Sequence, residues 1–130
     1  MDASCPTERS FRMATRATAI SAAAAYKAWH EFLPHIPKDF RYSLGTKIDR
    51  SLVETAELLF IASYLDKERK LPYLQKANVR LDVAKFFLQI LWDVGALDNQ
   101  KYILLSEKFD EVGRQLGGWI NGMKSKPPAR

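Results

Sequence analysis

Cysteine is nearly missing from this chain: Cys5 stands alone among 130 residues. One thiol excludes an intramolecular disulfide framework, so the fold must be held by its own core, and a reducing compartment fits. Histidine is almost as scarce. His30 and His35 lie five apart, whereas zinc on a helix takes a spacing of about four and needs a third ligand. Both histidines read as surface residues, and Cys5 is too remote in sequence to form a Cys–His pair with either. No run approaches the roughly 18 apolar residues of a membrane span. Glu54 with Glu57, and Glu107 with Asp110 and Glu111, sit at helical spacing. No Glu-x-x-His accompanies them, so they read as solvated faces rather than a di-iron site. No glycine-rich phosphate loop follows a strand pattern. The expectation is therefore no enzyme: no catalytic residue, no metal and no cofactor.

What is present is ordinary for a soluble globular domain, with 47% hydrophobic and 27% charged residues. The net charge of +5 is unevenly spread. Residues 1–37 carry +1, residues 38–123 carry +1, and the last seven carry +3 from Lys124, Lys126 and Arg130. Within the core, only residues 67–95 show a positive bias, with six basic and three acidic side chains. Nucleic acid is admitted as a partner by this balance but not demanded by it.

Apolar periodicity predicts four helices. The first spans about residues 21–32, with Tyr26, Trp29 and Leu33 on one face, and Pro34 and Pro37 end it. The second spans about 38–65, with Leu44, Ile48, Leu52, Thr55, Leu59 and Ala62 as its inward stripe. The charged run 66–70 is expected to be a loop. The third helix spans about 72–94, with Pro72 in its first turn. Its stripe is Leu74, Ala77, Leu81, Ala84, Leu88 and Leu91. A second apolar row, Val79, Val83, Phe87, Ile90 and Val94, lies roughly opposite and is a candidate subunit interface. Gly95 and Asp98 punctuate the turn to a fourth helix, about 99–123, with Leu105, Phe109, Val112, Leu116 and Trp119 inward. No strand pattern competes. The fold class expected is all-α, an up-down-up-down four-helix bundle over residues 20–123. Residues 1–19 are expected to be a flexible arm, with Met13 a second candidate start, and residues 124–130 a disordered basic tail.

Gly113, Gly117 and Gly118 lie inside the fourth helix, where each costs about 1 kcal/mol relative to alanine. Close helix packing is the expected reason. Nine basic residues are candidates for nucleic-acid contact. Arg41, Lys47 and Arg50 open the second helix. Lys67, Arg69 and Lys70 precede the third, which carries Lys76 and Arg80. Arg114 on the fourth either contacts phosphate or pairs with Asp110 or Glu111. The competing reading is that the basic residues are solubilising, balanced by Asp49, Glu68 and Asp82.

Three ordered segments carry a resemblance: Phe40-Arg41-Tyr42-Ser43-Leu44-Gly45-Thr46-Lys47-Ile48, Lys70-Leu71-Pro72-Tyr73-Leu74-Gln75-Lys76-Ala77-Asn78, and Val112-Gly113-Arg114-Gln115-Leu116-Gly117-Gly118-Trp119-Ile120. Over about residues 22–123 the chain resembles the four-helix-bundle family of two groups. One is the accessory variability determinant (Avd) proteins of diversity-generating retroelements, and the other is the bacterial 23S rRNA intervening-sequence proteins. The resemblance implies a cytoplasmic homopentamer without catalytic residues. In the Avd group it also implies binding of RNA or an RNA/DNA hybrid, and of a reverse transcriptase, in support of mutagenic retrohoming. The near-neutral bundle departs from the strongly basic Avd pattern. That departure keeps the alternative of a self-associating intervening-sequence-type protein with no nucleic-acid role.

Overall fold

The computed structural model describes residues 8–124, with side chains from 13 to 123. Four long helices form the bundle: α1 (Glu8–Phe32), α2 (Thr46–Ala62), α3 (Lys67–Asp93) and α4 (Asn99–Lys124). They pack in a closed ring, α1 on α2, α2 on α3, α3 on α4 and α4 back on α1. The connections after α2 and α3 are a few residues long, which makes those neighbours antiparallel. The expected fold class is the observed one.

The first helix begins at Glu8, about a dozen residues before the expected start. Thr15, Thr18, Ala19, Ala22, Ala25 and Trp29 are buried along one stripe of it. Small and hydroxyl-bearing residues supply that rhythm in place of large apolar ones, so it does not register as a hydrophobic pattern. Thr18 satisfies its hydroxyl by donating to the Ala14 carbonyl at 3.1 Å. Residues 1–7 of the expected arm, and 125–130 of the expected tail, lie outside the described residues.

Between α1 and α2 the chain makes a 3-10 turn (Leu33–His35), one α turn (Lys38–Phe40) and a π turn (Arg41–Gly45). Arg41 fastens this corner: its guanidinium donates to the carbonyls of Pro34 at 3.0 Å and Ile36 at 3.1 Å. Gly45 sits tightly in this corner. A Cβ there would lie 3.3 Å from Leu33 Cδ1 and 3.4 Å from the Phe40 carbonyl, so a larger residue would have to push Leu33 aside by a few tenths of an ångström. Trp29 is wholly buried, and its indole N–H donates to Asp49 Oδ1 at 3.3 Å, tying α1 to α2. The Tyr26 hydroxyl is held above its ordinary range by burial and by its hydrogen bond to Asp49.

The run 66–70 is the start of α3 rather than a loop. Asp66 caps the helix by accepting from the Arg69 backbone N–H at 3.1 Å, and Arg69 Nε lies 3.4 Å from its other oxygen. Pro72 consequently stands a full turn inside α3, where its nitrogen cannot donate to the Glu68 carbonyl. The Leu/Ala stripe of α3 is buried throughout, from Leu74 to Leu91. Each fully buried leucine there contributes about 1.5–3 kcal/mol relative to exposure. Gly95 adopts a left-handed φ of +80° and ends α3. The Ala96 N–H reaches the Leu91 carbonyl and the Gly95 N–H the Trp92 carbonyl, a paired closure of the helix end. Asp98 caps α4 through the Lys101 N–H at 2.8 Å. Along α4, Leu105, Phe109, Val112 and Leu116 face inward as expected, but Ile120 rather than Trp119 continues the buried stripe.

Of Gly113, Gly117 and Gly118, only Gly113 faces a neighbour, and the near atom is the mobile end of Lys85 rather than a helix backbone. A Cβ on Gly113 would come within 2.6 Å of Lys85 Nζ and 3.5 Å of Leu81 on α3. At Gly117 and Gly118 nothing lies within 4 Å, so their backbones approach no neighbour in the protomer. Among the described residues no helix is long and apolar enough to cross a membrane.

Candidate nucleic-acid interface

Helical spacing puts Ser43, Lys47, Arg50 and Glu54 on one edge of α2 and its π turn, facing Arg80, Val83 and Phe87 of α3. Together with Tyr42, Thr46 and Ser51 they line a groove of about 580 Å³. Three cations line it against one carboxylate. Lys47 and Arg50 are exposed and make no ion pair among the described residues. Arg80 shares its charge with Glu54 across the groove at 3.5 Å, both side chains about 40% exposed. An ion pair that wet contributes little to stability, about 0–1 kcal/mol, and leaves both partners open to competition. Beyond that pair the edge continues into a second groove of about 510 Å³, where exposed Lys76 stands beside Glu57, Ile61 and Val79.

The other basic candidates are dispersed. Arg41 is half-buried and committed to the corner carbonyls. Lys67 is half-buried at the start of α3, and exposed Arg69 is paired with Asp66. Lys70 is corrected outright: none of it reaches the surface, and its ammonium donates to Thr15 Oγ1 of α1 at 3.2 Å. It fails as a phosphate ligand because α1 extends further back than expected and covers it. Arg114 lies on α4, diagonally across the ring from α2, and pairs with Glu111. That pairing is one of the two roles open to it from the sequence.

The second apolar row of α3 is only partly uncovered. Val79 and Val94 are about half exposed, whereas Val83, Phe87 and Ile90 are half-buried. Val83 and Phe87 form the floor of the cationic groove, so the candidate interface and the candidate nucleic-acid residues share one face.

Two features escape the sequence reading. One is Tyr42, 67% exposed where it lines the groove. Its π turn has no periodicity signature. The other is an apolar groove of about 360 Å³ between α1 and α2, lined by Arg16, Ala19, Ile20, Ala23, Ala56 and Phe60. Arg16, Ala19 and Ile20 join its lining only because α1 begins before the expected helix start. Among the described residues no three His, Cys, Asp or Glu side chains gather as a metal site.

Comparison with curated proteins finds no match. The model of the family described as bAvd-like matches residues 20–123, which take in α2, the π turn, α3, most of α4 and the whole cationic groove. That match spans well over half of the chain and takes in part of each of the four helices, and the chain accordingly belongs to the bAvd-like family.

Proposed function

We propose that this chain is a non-enzymatic, oligomeric accessory protein that binds nucleic acid and a retroelement reverse transcriptase in the cytoplasm, supporting mutagenic retrohoming. The observation that carries the reading is the α2–α3 groove. It brings Lys47, Arg50 and Arg80 together on the matched part of a bAvd-like chain. One such groove offers few phosphate contacts. A homopentamer would repeat it around a ring, and several weak sites on one particle combine into useful affinity. The partner polymerase would perform the chemistry.

The exposed apolar side chains favour a second reading, a self-associating bundle with no nucleic-acid role. Ile20, Phe60, Tyr64, Phe86 and Ile103 are each about half exposed or more in the protomer. Size exclusion with light scattering, with and without structured RNA at low and moderate salt, separates the two. A pentamer that retains RNA, more weakly as salt rises, supports the accessory reading. A pentamer that ignores RNA at low salt supports self-association alone. The Lys76→Glu/Arg80→Glu variant is expected to lose RNA while keeping its helical circular dichroism. Unchanged affinity would remove both residues from the site.

A further inference from the structure

We propose that the α2–α3 groove takes single-stranded rather than duplex nucleic acid, with Tyr42 as the platform on which an unpaired base stacks. This rests on the nucleic-acid reading above and names the strand form that the groove accepts.

Five large aromatic side chains are exposed among the described residues: Tyr42, Phe60, Tyr64, Phe86 and Trp92. Four of them already have ring partners. Phe60 and Tyr64 meet edge-on, with the Arg16 guanidinium over both rings. Phe86 lies against Phe87, and Trp92 stacks on Tyr102 with centroids 4.6 Å apart. Tyr42 has no ring or cation partner there, although it is 67% exposed. Its exposed ring lines the groove that holds Lys47 and Arg50, both unpaired.

The backbone beneath the ring is anchored. Arg41, its neighbour, is bonded to the Pro34 and Ile36 carbonyls. The Ser43 hydroxyl donates to the Asp39 carbonyl at 3.0 Å and the Thr46 hydroxyl to the Arg41 carbonyl at 3.4 Å. A π turn held this way fixes where the Tyr42 side chain leaves the backbone, and such turns recur at functional sites.

Chemistry then selects the strand form. Both duplex and single strand offer phosphates to Lys47 and Arg50, but only an unpaired base has a face free to stack on a tyrosine. The groove, about 580 Å³, has the size of a small-ligand site and admits a splayed base.

The test uses the full chain and fluorescence anisotropy with one short unstructured RNA, alone and annealed to its complement. Four proteins are compared: wild type, Tyr42→Phe, Tyr42→Ala and Lys47→Ala/Arg50→Ala. Wild type is expected to prefer the single strand. Tyr42→Ala should lose about tenfold on the single strand and nothing on the duplex, while Tyr42→Phe keeps most of the affinity. The double variant should weaken both forms and flatten the single-strand salt slope by about 1.4, from roughly 0.7 per phosphate contact. A strand carrying 2-aminopurine should be quenched by wild type and not by Tyr42→Ala. Equal loss on both strand forms, or no loss in Tyr42→Ala, overturns the stacking site while leaving the phosphate groove standing. Wild type that binds neither form at low salt overturns the nucleic-acid reading itself.

Discussion

Helix α2 has a groove on each side, and the two differ in how they treat charge. Toward α1 the lining is Ala19, Ile20, Ala23, Ala56 and Phe60, and the one cation, Arg16, is spent on its neighbours. Its guanidinium lies 5.2 Å from the Tyr64 ring centroid and donates to the Tyr64 hydroxyl at 2.7 Å. Toward α3 the cations Lys47 and Arg50 have no such partner, and Arg80 has a wet one. The difference teaches that availability of charge, rather than its count, marks a surface for an anionic partner. Residues 38–123 net only +1, yet they contain a groove where positive charge is unspent.

The largest expected effect removes both grooves together. Leu59 is wholly buried on the inward face of α2, between the two. Leu59→Ala should cost about 2–5 kcal/mol in urea unfolding, through lost burial and the cavity left behind. If RNA binding survives at a urea concentration that unfolds the variant but not the wild type, the groove is not what holds RNA. Next in size, Lys47→Glu/Arg50→Glu should weaken RNA binding by about ten- to a hundredfold at low salt without moving the urea midpoint, because both side chains are exposed. Comparable weakening by a charge reversal at Lys108, on the exposed face of α4, would erase the distinction between the grooves.

Smaller again is the α1 side. Arg16→Ala removes a cation–π contact and an exposed hydrogen bond, and should cost about 0.5–1 kcal/mol in unfolding while leaving RNA affinity unchanged. A fall in RNA affinity as large as that of the α3-side variant would make Arg16 part of the interface.

How much of this was legible follows from which patterns have a period. The α3 stripe from Leu74 to Leu91 and the α4 stripe from Leu105 to Leu116 repeat at three and four, and the structure buries each as read. The start of α1 was not legible because Thr15, Thr18 and Ala19 bury little apolar surface and read as polar or neutral. The start of α3 was hidden by charge: Asp66-Lys67-Glu68-Arg69-Lys70 looks like a loop until Asp66 is seen as a cap and Lys70 as a buried donor. That one misreading also placed Lys70 among the phosphate ligands. The cationic groove was half legible. Lys47, Arg50 and Arg80 stand out as charges, but that Arg41 is committed to the corner carbonyls and that Arg114 lies on α4, away from the groove, depends on contacts that spacing does not encode. Tyr42 lies within the 40–48 segment with no role legible there, because a π turn shifts the helical phase and no propensity announces it.

The smallest expected effect is acid sensitivity at the α1-side end of α3. The Asp66 carboxyl is held below its ordinary 3.8, chiefly by the backbone N–H of Arg69 and then by the Arg69 charge. Asp98 is lowered in the same way by the Lys101 side chain and backbone at the start of α4. A lowered folded value means that the cap's contribution is fully present above the ordinary value and is lost as pH falls through the lowered one. Stability should therefore be flat with respect to these caps at neutral pH and should decline below about pH 4. Asp66→Asn keeps an acceptor for the Arg69 N–H but cannot be protonated, so it should remove part of that decline at little cost near pH 7. The loosening should begin where Asp66 holds the turn preceding Lys70, and so next to the Thr15 contact with α1. Amide exchange at low pH is expected to rise first at Arg69 and Lys70, ahead of Lys47 and Arg50. Exchange that rises first along the edge of the cationic groove would mean that the α3 side, not the α1 side, is the weaker seam of the bundle.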